Sequence, residues 1–510
     1  MKKEFMCVFE NHWDAVIASL VACFAIYKLT YVGGIGISPD SVEYIYSAIN
    51  LKQKLALVDF NNAPMVDFPA GYPIFLAISY FITGILPDHL APLLNSFLYV
   101  GVIMMSSFIM QLFSNSSRIY RIAILTVLAC SPCLWEVYSM MWSETLFLFI
   151  LFLFILTWKK YTTEKTNGSL ILFAFIAALS ILTRFAGITV IVTGVALIIF
   201  DGTLTRIRKI KHSLLFLTIG LSFFVINLFR NHQVSGTPTG VREQAFKTLR
   251  DNLLQIGNVL GSWFPFIGQH KFVGAIVLLI LILCGLFTIG YRLIQQQFYQ
   301  KIETVIFGYF LVYAVFILSV SSISRFEDLS GRLLSPMYIP MLWLGTSWVP
   351  VYIQRQSKKY RIILAGLSFL FFLFFIGNQY KQNASNWEGI AAAGIPGYSE
   401  LQWKNSPTIQ YIVANKEKFE SPIFSDAAGA IYYLTGVRSL ILPHKEIENE
   451  KKQFLNHSKS IVIWFNDGEN TDLIDMNYIK ANKKLVTINT FEDGSIYFLQ
   501  DSLFIRPILK

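Results

Sequence analysis

Two carboxylates, Asp40 and Glu43, stand in the stretch ISPDSVEYIYSAIN at residues 37–50, directly after the first long apolar segment. A carboxylate held where an apolar helix meets water can take the proton of an attacking hydroxyl in a transfer reaction. The same residues admit a plainer role, in which Asp40 caps the short helix that follows and Glu43 reaches back to it in a capping box. The two roles are compatible, and the local sequence does not choose between them. Further along come Glu144 in MMWSETLFLFILF, Arg184 in ILTRFAGI and Arg332 in SGRLLSPMYIP. The planar fork of arginine makes two parallel hydrogen bonds to a phosphate, so such residues suit a ligand with an anionic head.

The elements that must position these side chains are apolar. The chain has 510 residues, of which 54% are hydrophobic and 15% charged, and its mean hydropathy is +0.52. Those values describe a polytopic α-helical membrane protein rather than a string of soluble domains. A net charge of +10 could mark a nucleic-acid partner. The basic residues fall in alternate loops, however, which is the positive-inside pattern, so the charge belongs to topology and no nucleic acid is expected. Cys7, Cys23, Cys130, Cys133 and Cys284 lie in or beside apolar segments, which argues against a disulfide framework. The CSPC pair has redox-motif spacing but interrupts a hydrophobic run without a thioredoxin-like context, and reads as packing. The seven histidines form no ligand-spaced cluster.

The first apolar run, 15–36, follows Lys2 and Lys3 and is too long for a signal-peptide core, so it reads as an uncleaved membrane helix with a cytoplasmic amino terminus. Val42, Ile45, Tyr46 and Ile49 then mark one face of an amphipathic helix at the interface. The run 74–86 has 13 residues, short of the roughly 17 needed to cross. It reads as a re-entrant or surface helix in a large first outer loop. Further crossings are expected at 90–113, 122–138, 145–158, 169–183, 185–200, 214–229, 272–291, 304–323, 333–352 and 362–377, with a mixed outer loop at 231–270. The total is about eleven, and an odd number sends the carboxyl terminus outside.

From residue 378 the composition turns polar. SPIFSD, RSLILP, KSIVIWFND, KKLVTIN and SIYFLQ read as strands, with helices at 407–416 and 428–434. Two domains are expected: a transmembrane domain over 1–377, which the family resemblance given below makes the catalytic one, and a small soluble α/β domain over 378–510, on the extracytoplasmic side.

This topology puts Asp40, Glu43, Asp59, Asp67, Glu144, Arg184, Arg230, Arg242, Arg325, Glu327, Asp328 and Arg332 on the outer face. Ionisable side chains beside a membrane are costly and therefore candidates for function. Each, taken singly, also reads as an interfacial anchor or an ion pair. Carboxylates and arginines together suit a substrate with an anionic head and an apolar tail.

The order of SPDSVEYI, FPAGYPIFLA, MMWSETLFLFILF, ILTRFAGI, SGRLLSPMYIP and SDAAGAIYYLTGVRSLILP resembles the GT-C class of membrane glycosyltransferases. The likeness is to bacterial relatives of protein O-mannosyltransferases and of the lipid A aminoarabinose transferase. It implies a GT-C-like fold in the plasma membrane, a sugar donor carried on polyprenyl phosphate, and a lipid, glycan or protein acceptor at the outer face. The family's acidic residue of the first loop falls on Asp40, which the resemblance makes the catalytic base, and Glu144 falls on a second acidic position, to orient the acceptor or help hold a cation. Arg184 and Arg332 fall on recurrent basic positions, and Glu43 and Tyr72 join them as substrate-binding candidates. Asp40 is followed by Ser41 where protein O-mannosyltransferases carry an adjacent acidic pair. A divalent cation is compatible with this set, but hard cations take more oxygen ligands than can be identified, so no metal site and no cofactor is predicted. Competing readings are a transporter or lipid flippase, and a polysaccharide polymerase or ligase working through outer-loop arginines.

Overall fold

The structure, a computed structural model, describes residues 2–113, 117–240, 243–268, 270–295, 301–325, 327–419, 421–465 and 472–501, with side chains from His12 onward. Each of the eleven expected apolar runs coincides at least in part with helix, although the first helix ends at Thr30, short of the expected 36, and the run 333–352 is interrupted after Thr346. Among the described residues, six helices are long and apolar enough to cross a membrane: His12–Thr30, Pro87–Gln111, Glu144–Glu164, Lys271–Ile294, Ile302–Ile323 and Lys358–Ala393. Eight spans result if two bent pairs each count as one. The helical part is that of an integral membrane protein.

The bends have local causes. The expected single run 122–138 is two helices, Arg118–Ala129 and Pro132–Ser139, meeting at 48°. Pro132 has no amide hydrogen to continue the first helix, and Ser131 caps the second by accepting from the Leu134 amide at 3.4 Å. The CSPC cysteines flank this break as free thiols, with Cys133 buried. A second bend of 41° joins Arg206–Gly220 to Ser222–Ser235.

One expectation is corrected. The mixed loop 231–270 contains a full helix, Leu249–Trp263, which buries Ile256, Val259, Leu260 and Trp263. Thr248 accepts from the Asp251 amide while the Asp251 carboxylate accepts from the Thr248 amide, a capping box that the sequence carried. Gly257 and Gly274 let this helix and Lys271–Ile294 touch backbone to backbone: a Cβ on Gly274 would lie 2.0 Å from the Gly257 carbonyl oxygen.

Past Gly377 the last long helix continues unbroken to Ala393. The tail then builds the five expected strands: β1 (Ile423–Ser425), β2 (Leu440–Ile441), β3 (Lys459–Phe465), β4 (Lys483–Thr490) and β5 (Gly494–Asp501). Their order is β2-β1-β3-β5-β4, with β1 parallel to β2 and β3, and β5 antiparallel to both β3 and β4. Alternation along β3 sends Ile461, Ile463 and Phe465 to one core with Ile409, Ile412 and Ile431, and Val462 to the other with Phe424, Phe454 and Leu499.

This module rests on the segment that follows the first helix. The Tyr398 amide donates to the Ile37 carbonyl at 2.8 Å, and Lys404 Nζ donates to the Gly33 carbonyl at 3.1 Å. Gly397 makes that approach with φ at 123°, and a Cβ there would stand 2.4 Å from the Ile37 oxygen. Tyr432 packs edge-on against Tyr46 and tilted against Phe60.

Candidate functional site

The segment that carries Asp40 is stitched to the one that carries Glu144. Gly36 donates to the Ser139 carbonyl at 2.9 Å, and the Met141 amide donates to the Gly36 carbonyl at 3.0 Å. Asn95, buried, donates to the Tyr138 and Met140 carbonyls at 2.9 and 2.8 Å. Backbone that has left a helix thereby keeps its hydrogen bonds inside the protein, as an apolar surrounding demands.

Helix Pro39–Lys54 is not capped as the sequence suggested. Its cap is Ser38, whose hydroxyl accepts from the Ser41 amide at 3.4 Å, while the Ser41 hydroxyl accepts from the Ser38 amide at 3.0 Å. Ser41 also donates to the Met141 carbonyl at 3.0 Å, and Trp142 Nε1 donates to the Ser38 hydroxyl at 2.9 Å. The expected Asp40 and Glu43 capping box is therefore absent. With Pro39 in the first helical position and two serines closing the cap, the Asp40 carboxylate is left free of capping and turns to another partner.

That partner is Arg332. Its Nη2 donates to Asp40 Oδ2, and its Nε donates to Glu144 Oε1 at 2.6 Å. The other oxygen of Glu144 pairs with Arg184 Nη1 at 2.6 Å. Arg184 also donates to the Ser143 hydroxyl at 2.8 Å, which lies 3.3 Å from the Tyr44 hydroxyl. The guanidinium of Arg332 lies over the Trp142 ring, 4.5 Å from its centroid, which fixes its plane. The result is a chain of alternating charges, Asp40, Arg332, Glu144, Arg184, gathered from four separate stretches. Glu144 is 0% exposed and Arg332 8%, whereas the Asp40 side chain retains 25% exposure. Burial alone would disfavour the charged guanidinium of Arg184; the Glu144 carboxylate outweighs it and holds the group firmly protonated.

The remaining sequence candidates divide. Tyr72 is buried beside this cluster, its ring edge-on to Tyr44 at 5.1 Å and its hydroxyl near Thr145 and Glu144. Glu43 faces carboxylates instead of arginines: burial, then Asp59, Asp67 and Asp40, push it from 4.5 up to about 8. Arg230 binds backbone of the first loop, donating to the Leu57 and Met65 carbonyls at 2.6 and 2.5 Å. Asp59 closes a turn by accepting from the Ala63 amide at 2.7 Å. Arg325 pairs with Asp472 at 3.1 Å, Asp328 pairs with Lys247, and Arg242 lies outside the described residues. Ser38, Tyr44, Trp142 and Ser143 shape the cluster and were not singled out from the sequence; the polar and aromatic pair preceding Glu144 in MMWSE was the available signal. Among the described residues, no group of three or more His, Cys, Asp or Glu converges as a metal site.

The chain shares its overall fold, of the GT-C type, with solved polytopic membrane glycosyltransferases. Among solved structures, the chain is similar to ArnT from Cupriavidus metallidurans in the apo state, with a TM-score of 0.56 at 12% identity over 95% of this chain and 97% of that one. The same protein bound to undecaprenyl phosphate matches at 0.54 and 11% identity, with the same coverage. The archaeal oligosaccharyltransferase AglB from Archaeoglobus fulgidus, solved with an inhibitory peptide and a dolichol-phosphate, matches at 0.57 and 11% identity over 98% of this chain and 75% of that one. No family profile and no curated protein matches the sequence.

Proposed function

We propose that this chain is a membrane glycosyltransferase that moves a sugar from a polyprenyl-phosphate donor to an acceptor hydroxyl on the extracytoplasmic face. The observation that carries the reading is the position of Arg332, shared between a buried carboxylate and the partly open Asp40. A phosphate leaving group needs its charge stabilised as the glycosidic bond breaks, and Arg332 and Arg184 are two guanidiniums already held in place for it. Asp40, the more accessible carboxylate, serves as base for the acceptor hydroxyl. Both oxygens of Glu144 are taken by arginines, so Glu144 acts by positioning the two guanidiniums. A single displacement of this kind inverts the anomeric centre.

The two solved neighbours that hold a polyprenyl or dolichyl phosphate agree with a lipid-phosphate donor. The alternation of basic loops supports a cytoplasmic amino terminus and an outer tail, and the break in composition supports a catalytic membrane domain over 1–377 with the α/β module beyond it.

The test supplies membranes with labelled polyprenyl-phosphate sugars and compares the wild type with Asp40→Asn. Transfer is expected to fall by about 10²–10⁴, the usual worth of a general base, while donor binding persists. Undiminished transfer in Asp40→Asn refutes the assignment. Transport or flipping that survives the substitution, with no sugar transfer in either protein, points to a transporter instead.

A further inference from the structure

The α/β module carries a cleft of about 760 Å³ that the chemistry above does not use. It opens between the amino-terminal end of β1, the carboxyl-terminal turn of helix Ala428–Thr435 and the first outer loop. Its volume lies in the range of small-molecule sites. Two cations line it, Lys416 and Arg438, with two aromatic rings, Phe419 and Tyr432, and short polar groups from Asn61 and Ser421. Both cations are exposed, and the rings are half-buried.

The cleft is built from two parts of the chain that hold each other in register. Asn61 Nδ2 donates to the Ser439 carbonyl at 3.1 Å, across 378 residues of sequence. Tyr432 is anchored by Tyr46, 4.6 Å away between ring centroids, and by Phe60 at 5.1 Å. Tyr46 belongs to the same helix as Asp40, so the cleft and the charged cluster share one rigid support. Asp59 lies within electrostatic reach of Arg438 and also accepts from the Ala63 amide, so it offsets part of that guanidinium's charge, while Lys416 adds a second, exposed cation.

Aromatic surface with scattered hydrogen-bonding groups fits the mixed faces of a saccharide. The two cations add a demand for negative charge. We propose that this cleft binds an acidic saccharide, one bearing carboxylate or phosphate groups, and that it is the docking site for the acceptor glycan. The cleft's role as acceptor site rests on the glycosyltransferase reading; its binding of the acidic saccharide does not.

The experiment measures binding to the purified full chain in detergent by calorimetry, with a galacturonic acid trimer as probe and a galactose trimer as its neutral counterpart. The acidic trimer is expected to bind saturably and to weaken as salt is raised. The neutral trimer, and the acidic trimer with the Lys416→Gln/Arg438→Gln variant, are each expected to bind about tenfold more weakly, the sum of two partly exposed charge contacts. Arg438→Lys, which keeps the charge, should recover part of the loss. Equal binding of the two trimers, absence of binding, or a double variant that binds like the wild type overturns the proposal. If the trimer fails to bind while wild-type membranes transfer sugar and Asp40→Asn membranes do not, the cleft inference alone is wrong. If it binds and membranes of the wild type transfer nothing, the glycosyltransferase reading alone is wrong.

Discussion

Glu144→Gln tests the charged cluster at its centre. The substitution keeps the volume of the side chain and removes its charge. Glu144 is fully buried and accepts from Arg332 Nε and Arg184 Nη1, each at 2.6 Å. A glutamine offers one oxygen and one amino group, so one guanidinium keeps an acceptor and the other faces a donor. At charge separations near 4 Å in a protein environment, each pair is worth about 4 kcal/mol of Coulomb attraction before desolvation is subtracted. Removing one partner of a buried pair costs about 3–5 kcal/mol, because the charge left behind has lost both water and counter-ion. Arg332 still has Asp40, but Arg184 keeps only the Ser143 hydroxyl at 2.8 Å. We therefore expect Glu144→Gln to lose about 3–5 kcal/mol of unfolding free energy, read by denaturant unfolding in mixed micelles. The double variant Glu144→Gln/Arg184→Gln removes the stranded charge and should regain at least half of the loss in stability. If Glu144→Gln unfolds like the wild type, or the double variant adds a further loss, the cluster is not held together by charge pairing through Glu144.

Three further predictions follow from single observations. Arg332→Lys keeps the charge but cannot reach Asp40 and Glu144 with separate nitrogens of a planar fork, so donor KM should rise by about tenfold or more, a loss of at least one charge-assisted hydrogen bond. Gly397→Ala places a methyl group 2.4 Å from the Ile37 oxygen at φ of 123°; limited proteolysis should then release the tail module faster than from the wild type, and unchanged protection would show that the contact does not hold the module down. Burial among carboxylates raises Glu43 to about 8 from 4.5, so the folded state holds a proton that the unfolded chain has already lost. The stability this contributes is complete below about pH 4.5 and is lost as pH rises towards 8. Glu43→Gln should flatten that slope and be relatively more stable at pH 8, and an unaltered pH profile would argue against a protonated Glu43.

Apolar runs were legible because a helix in lipid must be apolar over its whole length, which leaves a signal that no loop imitates. The strands were legible for a related reason: IVIWF and IYFL are apolar runs of strand length, as β3 and β5 require because both faces of the sheet are covered. The misreadings were local competitions. SPDSVE contains two overlapping cap frames, Ser38 with Ser41 and Asp40 with Glu43, and only the packing of Ser41 and Trp142 against the backbone and side chain of their neighbours selects the first. Helix Leu249–Trp263 was hidden in a mixed loop although its capping box was present, because its buried face finds its partner only in the next helix.

By itself the sequence determined that the chain is a set of apolar helices followed by a small α/β tail, and it drew attention to Asp40, Glu144, Arg184 and Arg332. Each of those residues, on its own stretch, was equally a cap, an anchor or a surface ion pair. Only the tertiary structure decided that the four form one chain of charges, with Glu144 sealed between two arginines and Asp40 left partly exposed at the end. Periodicity and composition act over one or two turns of helix, whereas the contact between Arg332 and Asp40 spans 292 residues, and its energy exists only once the intervening helices have packed and excluded water from Glu144.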